Sequence, residues 1–573
     1  MNHTPVSTLP GKKIMLALLP FWTPLIPPMG IAVLKRFLQS HGCIVKTFDT
    51  NIQLEFKEIY NTYFRFLECH VPPEKRGNFY NIGHDLQQNH LMAHMHKSSQ
   101  ANQDRYFRLL HELVYKIFYI SFSPPQLQEM DQIATEFYRR LEVYLIDHLM
   151  EEKPDVLGLT VHIHTLPASL FAFKITREKF PHIQTVMGGG IFTEQLAVNS
   201  PNLDYFQKNT PYIDKIIIGE GELPMLKFLL GEIPPAQKII TLQDIGAANL
   251  DISQKERPDF SDFNIDYYSY LPAAGSVSCP FQCSFCSETI YFGKYSKKNP
   301  SQTYAELLTF YQKYRRQLVI MTDSLLNPII HDLSNQFIHS PYAMYWDGCL
   351  RVSNEVGEVE NTLKWRRGGF YRASLGIETG SQRVLNLMGK GITVEQSKAA
   401  LRALAYAGIK TTTYWLIGYP GESEEDFIQT LAFLEELKDD IYEAESHPFQ
   451  FLPGLVKYEQ WTQTNPVQSL YSADARGMLL ITTFIMVCDP PREEIYRRLN
   501  RFVNCCNRLG IPNPYSEKEI FWADERWKKL HKNAVPSLVE FKENNKYLDE
   551  CKQVEIFTPL KKLAFDEAVD FDF

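Results

Sequence analysis

The sequence predicts an α/β protein built in succession: an open parallel sheet of Rossmann-like type at the amino terminus, then a partial (β/α) barrel, then a mainly helical carboxyl-terminal region. Short continuous apolar runs such as KIMLALLP alternate with helical stretches, which is the pattern of strands buried on both faces of a parallel sheet. That alternation occurs twice, over residues 13–230 and again from Gly275, on either side of a stretch bearing Pro, Asp and Ser. The length, 573 residues, also exceeds what a single hydrophobic core holds.

Taken in order, KIMLALLP reads as a first strand, FWTPLIPPMG as a loop, IAVLKRFLQSHG as a helix ending at Gly42, and IVKTFDT as a second strand. This strand–helix–strand spacing is that of a parallel crossover. Residues 56–150 break the rhythm. They are rich in Tyr, Phe, His and Gln with helical periodicity, as in EFYRRLEVYLIDHLMEE, and are expected to form a helical insertion. DVLGLTV, TVMGGG and DKIIIGEGE then resume the sheet, with a helix near 166–179. Each strand runs out into a Gly- or Thr-bearing turn, as at the carboxyl edge of an open parallel sheet. The first domain therefore spans about 1–230, with 231–272 as a linker. Barrel strands are expected near 275–278, 318–323, 343–347, 371–377 and 410–417, within a second domain over 273–440. Residues 441–573 read as irregular and helical, ending in an acidic tail.

Composition narrows the function. Hydrophobic residues make up 44% and charged residues 22%, as in an ordinary globular chain. The net charge of −8 argues against a broad nucleic-acid surface. No apolar run is long enough to cross a bilayer, and the opening apolar stretch reads as a strand rather than a signal peptide, so a cytoplasmic protein without a membrane partner is expected. Ten cysteines are too sparse for a disulfide scaffold, yet three fall within eight residues, which argues for a metal site.

Those three stand in SVSCPFQCSFCSETI as Cys279-x3-Cys283-x2-Cys286. Thiolates suit iron–sulfur iron. Three on one short loop hold three irons of a cubane and leave the fourth open to a small chelating molecule. Structural zinc is the rival, but it requires four ligands, usually in two Cys-x2-Cys pairs, and no second pair is present.

Placed just after the first strand of a strand–helix series, this triplet, with Phe285 before its last cysteine, resembles the signature of the radical S-adenosylmethionine (SAM) superfamily. The resemblance implies a [4Fe–4S] cluster on Cys279, Cys283 and Cys286 whose open iron chelates SAM. In that family the cluster cleaves the sulfonium to a 5′-deoxyadenosyl radical. FYRASLGIETGSQRVLNLMGKGIT is similar to the family's fourth strand, which implies SAM contacts at Glu378 and Ser381. TYWLIGYPGESEEDF is similar to the fifth, where Ile417 and Gly418 would flank adenine. The Gly-Gly-Glu run of many members is replaced by MTDSLLN, so Asp323 or Ser324 would substitute.

The amino-terminal segments PPMGIAVLKRFLQSHG, DVLGLTVHIHT, TVMGGGIFTEQ and IIIGEGELPMLKFL resemble the cobalamin-binding domain that precedes the barrel in the cobalamin-dependent (class B) branch. The cofactor would then be met by Thr160, His162, Gly188, Gly189, Gly190, Thr193, Gly219, Glu220 and Gly221. The Asp-x-His-x-x-Gly motif that supplies a cobalt ligand in many cobalamin proteins is absent, and His162 and His164 share one face of the strand end. Asp347 and Arg351 after the third barrel strand, and Tyr414 and Trp415 on the fifth, are candidates to touch substrate. The resemblance implies methylation of an unactivated carbon or phosphorus of a small molecule or peptide. It also implies a flavodoxin- or ferredoxin-type electron donor, and a monomer is expected. Ring closure or rearrangement without net methylation is the alternative within the class, and a non-catalytic cobalamin or zinc protein the alternative outside it. A transfer-RNA methylthiotransferase would need a further amino-terminal cysteine triplet and a basic RNA module, and neither is seen.

Overall fold

A computed structural model describes residues 9, 11–97, 100–198, 200–513 and 517–534. The chain divides into two units, one running to Tyr267 together with Phe451–Val487, the other from Tyr268 to Gln450 and again from Cys488. Among the described residues no helix is long and apolar enough to cross a membrane.

The first unit is a six-stranded, wholly parallel sheet. In chain order its strands are β1 (Lys13–Leu18), β2 (Ile44–Asp49), β3 (Val156–Thr160), β4 (Gln184–Gly188), β5 (Lys215–Ile217) and β6 (Ile239–Ile240), arranged 2-1-3-4-5-6. The helix α1 (Met29–Ser40) makes the first crossover. Between β2 and β3 stands the helical insertion: α2 (Leu54–His70), α3 (Phe79–Met95), α4 (Gln100–Phe118) and α5 (Pro124–Glu152). The last of these starts at a capping box of Ser123 with Gln126, with Pro124 in its first turn, and ends where Lys153 turns left-handed. Helices α6 (Leu166–Lys179), α7 (Pro201–Asn209) and α8 (Glu222–Leu229) follow β3, β4 and β5.

Two stretches read differently in the structure than in the sequence. Within 231–272, residues 239–240 add β6 to the sheet, and buried Lys35 pairs with Asp259 (3.2 Å) and Asp262 (2.8 Å), tying this stretch to α1. Residues 451–487 pack with the first unit: the Glu112 carboxylate accepts from the Ser472 amide and hydroxyl (both 2.9 Å), and the Asn202 side chain pairs with the Thr482 backbone.

The second unit is a six-stranded parallel sheet of β7 (Leu271–Ala273), β10 (Leu318–Met321), β11 (Tyr345–Leu350), β12 (Phe370–Glu378), β13 (Lys410–Ile417) and β14 (Glu443–Pro448), in that order. The first and last strands do not pair, which leaves a partial barrel. The first barrel strand is 271–273, earlier than the expected 275–278; residues Ser276–Val277 (β8) instead pair antiparallel with Ser296–Lys297 (β9). The strand β14 lies where irregular chain was expected. Its sequence, EAESHP, buries only Ala, Ser and Pro on one face, so no apolar run announces it. Helices α9 (Glu288–Phe292), α10 (Pro300–Tyr314), α11 (Asn327–Ile338), α12 (Val359–Arg367), α13 (Gln382–Leu387), α14 (Val394–Tyr406) and α15 (Glu424–Glu436) connect these strands.

Candidate active site

The strands of the second unit alternate in exposure with period two. Arg372, Ser374 and Gly376 on β12, Tyr414 and Leu416 on β13, and Glu443, Glu445 and His447 on β14 are only partly covered, while their neighbours are buried. Cys349 on β11 shares this behaviour. Since successive side chains point to opposite faces, these residues line the inner face together with buried Asp347, two residues before Cys349, and the intervening residues pack against the helices. The register sets them in rows: Asp347 beside Arg372 and Cys349 beside Ser374, then Tyr414 beside Glu445 and Leu416 beside His447.

The deepest row is a buried ion pair. Asp347 accepts from Arg372 Nε at 2.8 Å and from the Tyr371 hydroxyl at 3.4 Å. Burial pushes its carboxyl up, and the Arg372 charge opposes that. Asp347 is 1% exposed, so it braces the barrel floor rather than meeting substrate as the sequence suggested. Trp415 is a second correction. It lies on the outer face, 1% exposed, packed on Phe433 and Phe502, with its Nε1 donating to Thr413 Oγ1 (2.9 Å). Tyr414, one residue earlier, faces inward beside Cys349, Ser374 and Glu445.

The cysteine loop leaves β7 and is held at its root by Asp323, just beyond the end of β10. The Asp323 carboxylate accepts from the Gly275 amide (3.0 and 3.1 Å) and the Ser276 hydroxyl (2.5 Å). Burial raises this carboxyl to about 6, against the pull of those hydrogen bonds. With its oxygens so engaged and 2% exposed, Asp323 anchors the loop and does not reach for SAM. Ser324 donates to Glu288 at 2.5 Å and is likewise engaged. Farther along, the Ser284 amide donates to Met388 O (2.9 Å), and its hydroxyl pairs with the Tyr419 hydroxyl (2.7 Å).

The thiols lie between charges of both signs, Arg351 beside Cys283 and Glu288 near Cys279 and Cys286. Arg351 Nη1 lies 3.6 Å from Cys283 Sγ, and its guanidinium stacks 3.8 Å over the Phe281 ring. Asn327 clamps the Arg351 backbone at both its amide (2.8 Å) and its carbonyl (2.9 Å). Arg351, expected to meet substrate, is thus placed at the thiol loop. As free thiols, Cys279 and Cys286 are pushed up by burial, Cys286 to about 11, so ionisation would have to be driven by metal. Among the described residues, the sole three-ligand grouping within 4.8 Å is His90, His94 and Asp131 in the insertion. Three thiols are one ligand short of a tetrahedral structural zinc site, and thiolates suit the iron of a cluster. The His90 grouping itself is a closed network: His90 meets the Tyr63 and Tyr106 hydroxyls, and Asp131 is held by His94, Tyr106 and the Lys97 ammonium. That ammonium on the carboxylate disfavours a cation there.

At the end of β12, Glu378 adopts φ +65°, where a non-glycine residue is strained, and the β12–β13 register slips between Gly376 and Glu378. Lys390 holds its carboxylate (2.5 Å) and lies 5.6 Å from the Phe285 ring centroid. A Cβ on Gly376 would come within 2.4 Å of Glu378 Oε1 and 2.6 Å of Lys390 Nζ, so glycine is what lets this pair lie over the strand. Gly376 and Lys390, which set the position of the Glu378 carboxylate, were not among the residues read from the sequence. Ser381 is fully buried, caps α13 and donates to Asp426 (2.6 Å), so it builds the turn rather than a ligand contact. Ile417 is buried at the end of β13. Gly418 (φ +79°) donates its amide to Glu422 (3.0 Å), whose carboxyl burial raises to about 7 while Arg498 holds it at 2.9 Å.

At the carboxyl edge of the first sheet, Thr160, His162 and the glycine turns come together. Thr160 pairs with Gly188 across β3 and β4. Beyond Gly188 a Cβ would meet only Ile217 O (3.6 Å), and beyond Gly219 (φ +94°) nothing within 4 Å; Gly221 is nearly as open. These three are a cradle whose space a side chain would fill, and they fit the close approach of a large planar cofactor. Gly189 is glycine for another reason: its Cβ would strike Val161 N at 2.4 Å. The space above Gly190 is taken by the His162 ring, which stacks on Trp22 at 4.3 Å. The Thr193 hydroxyl donates to Gly190 O (2.7 Å), and Glu220 accepts from the Leu250 amide (2.9 Å) and pairs with Lys255 (2.7 Å), so both also hold loops at this edge.

With this geometry in view, residues 275–434 match the Radical SAM superfamily. The barrel unit is a radical SAM domain. The chain is 25% identical over 369 residues to the anaerobic magnesium-protoporphyrin IX monomethyl ester cyclase of Rubrivivax gelatinosus, covering 57% of this chain and 64% of that protein. It is 25% identical over 315 residues to an uncharacterized methyltransferase of Pyrococcus horikoshii, covering 50% and 65%. The chain thus spans just under two thirds of the length of these curated relatives. Among solved structures, the radical SAM methyltransferase TsrM of Kitasatospora setae, with tryptophan and a SAM analogue bound, aligns with a TM-score of 0.56 at 13% identity, over 93% of this chain and 97% of that one. A second structure of that enzyme holds cobalamin and a [4Fe–4S] cluster, with a TM-score of 0.55. At such identity the likeness is one of fold: a parallel α/β sheet, a radical SAM barrel and a helical carboxyl-terminal region.

Proposed function

We propose that this chain is a cobalamin-dependent radical SAM enzyme that methylates an unactivated carbon, or phosphorus, of a small-molecule or peptide substrate. The observation that carries the reading is the three-thiol loop beside the strained Glu378 in a matched radical SAM domain, following a parallel sheet with a glycine cradle at its carboxyl edge. A [4Fe–4S] cluster, SAM and cobalamin, when bound, supply one-electron cleavage of a sulfonium and a methyl group for transfer.

The chain's own part is positioning and exclusion. Cys279, Cys283 and Cys286 would hold the cluster, and Arg351 beside Cys283 offsets the negative charge of thiolate ligands. Glu378, held by Lys390, presents a carboxylate at the strand end suited to an ammonium or a hydroxyl. Phe285 packs an aromatic face beside them. On the inner face, Cys349, Tyr414, Glu445 and His447 offer polar groups for orienting a substrate, and His447 Nε2 lies 3.0 Å from Glu445 Oε1. Gly188, Gly219 and Gly221 would admit the corrin against backbone. An electron donor of flavodoxin or ferredoxin type is part of this reading.

A second reading, ring closure without net methylation, is favoured by the similarity to the cyclase of Rubrivivax gelatinosus. Anaerobic reconstitution with iron, sulfide and hydroxocobalamin tests both. Cluster and corrin absorption together with SAM-dependent 5′-deoxyadenosine are expected, and product mass separates methyl gain from ring closure. An intact SAM pool after incubation with the reduced protein would refute the enzymatic reading.

A further inference from the structure

The helical insertion brings titratable groups of its own to the carboxyl edge of the first sheet. Helix α3 packs against the turn Ile163–Thr165 that follows β3, and so sets His84 and Asp85 beside His164. His164 Nε2 stands 3.6 Å from Asp85 Oδ1, and the two side chains remain 26% and 31% exposed, enough to be reached from the edge. The His84 and His164 rings are 5.1 Å apart. His84 is held at Nε2 by the Tyr60 hydroxyl (3.0 Å). Its Nδ1, His164 Nε2 and Gln195 Oε1 are all buried without a hydrogen-bond partner. Buried polar atoms are nearly always satisfied, so these unpartnered atoms mark a corner whose imidazoles are not fully engaged by the protein's own hydrogen bonds.

His162 and His164 differ in what surrounds them. His162 is wedged between Trp22 and Gly190, with no carboxylate beside its ring. His164 has one: Asp85 Oδ1 lies 3.6 Å from Nε2, just beyond hydrogen-bond distance, and its charge favours a proton on that nitrogen, which leaves the Nδ1 lone pair available. No hydrogen bond among the described residues engages that Nδ1. A histidine with one nitrogen turned to a carboxylate and the other unengaged is the arrangement of a metal-ligating imidazole with its orienting partner.

We propose that His164, oriented by Asp85 from the helical insertion, is the imidazole that ligates cobalt when a corrin binds at this edge. This rests on the cobalamin reading above. Coordination donates the Nδ1 lone pair to the metal and transfers no electron. Asp85 and His164 lie about 80 residues apart in sequence, so the pair does by tertiary contact what a local Asp-x-His motif does by spacing.

The test is electron paramagnetic resonance of nitrogen-15-labelled protein loaded with unlabelled hydroxocobalamin and reduced to the cob(II) state. A protein imidazole splits each cobalt hyperfine line into a doublet, and unlabelled protein gives a triplet. His164→Ala should lose the splitting while retaining corrin, and His162→Ala should keep it. A triplet from labelled protein, which means the cofactor's own base is the ligand, would overturn the proposal. So would unsplit lines, or a doublet that survives H164A and disappears in H162A. Protein that is folded by circular dichroism yet retains no corrin after desalting would instead sink the cobalamin reading itself. A wild-type triplet or unsplit lines overturn the proposal without any variant, and where His164→Ala fails to fold, selective nitrogen-15 labelling of histidine with His164→Phe is read in the same way.

Discussion

Lys390→Met isolates the contact that holds Glu378. The two side chains are 9% and 10% exposed, so removing the ammonium leaves a carboxylate nearly out of water on a strained backbone. Breaking a buried pair by deleting one partner costs about 3–5 kcal/mol, and the residual exposure favours the lower end. A loss of about 3 kcal/mol corresponds to a fall in Tm of roughly 6–12 °C for a unit of this size. Glu378 would also turn from its present direction. Losing one hydrogen bond between charged groups, worth about 1.5–3 kcal/mol, weakens SAM binding by roughly 10- to 100-fold. Calorimetry and equilibrium dialysis on Lys390→Met, Glu378→Gln and the double variant complete the cycle. The double variant should recover most of the stability that Lys390→Met loses, since no unpaired charge remains. A loss under 1 kcal/mol in K390M, or a double variant whose loss equals the sum of the singles, would refute the coupling.

Cys279→Ser, Cys283→Ser and Cys286→Ser should each lose most reconstituted iron and all 5′-deoxyadenosine formation, while Cys69→Ser, at an exposed thiol, should lose neither; iron assay and chromatography check this. Burial depresses His84 and His90 to about 3, so the unfolded chain binds more protons between that value and about 6.5. Stability is therefore fully present above about pH 6.5 and drains as pH falls toward 3, by up to ~1.4 kcal/mol per unit and histidine, or about 4 kcal/mol for the two by pH 5. Thermal melts should show this slope, and the double variant His84→Gln/His90→Gln should make it shallower, leaving the part that His162 and His531, depressed to about 4, contribute. Gly418→Ala places a Cβ 2.3 Å from Ile495 Cγ1 at φ +79°, which should cost about 2–5 kcal/mol from left-handed strain and overpacking; denaturant unfolding measures it.

What could be read in the sequence followed the range of the signal. The apolar runs KIMLALLP and DVLGLTV became β1 and β3 because strands covered on both faces need little else to specify them. Helix α14 followed from the periodicity of SKAALRALAYAG. The strand β14 was not legible, since EAESHP has no apolar run and gains its place from pairing with β13. Residues 451–487 join the first unit through Glu112, Asn202 and their backbone partners, contacts with no local trace.

At the site, the division is sharper. Trp415 and Tyr414 are adjacent in sequence, and only the pleat of β13 sends one to the helices and the other to the barrel interior. Asp323, Ser381 and Glu220 carry side chains suited to a ligand, but each is already bonded to chain far from it in sequence. By itself the sequence determined the thiol triplet, because Cys279, Cys283 and Cys286 sit on one short loop whose chemistry is set by spacing alone. Tertiary structure decided everything that needs two distant segments to meet: Lys390 on Glu378, Arg351 beside Cys283, and Asp85 facing His164. The physical reason is that a charge or a lone pair acquires its role from the partner and the dielectric around it, and packing supplies both.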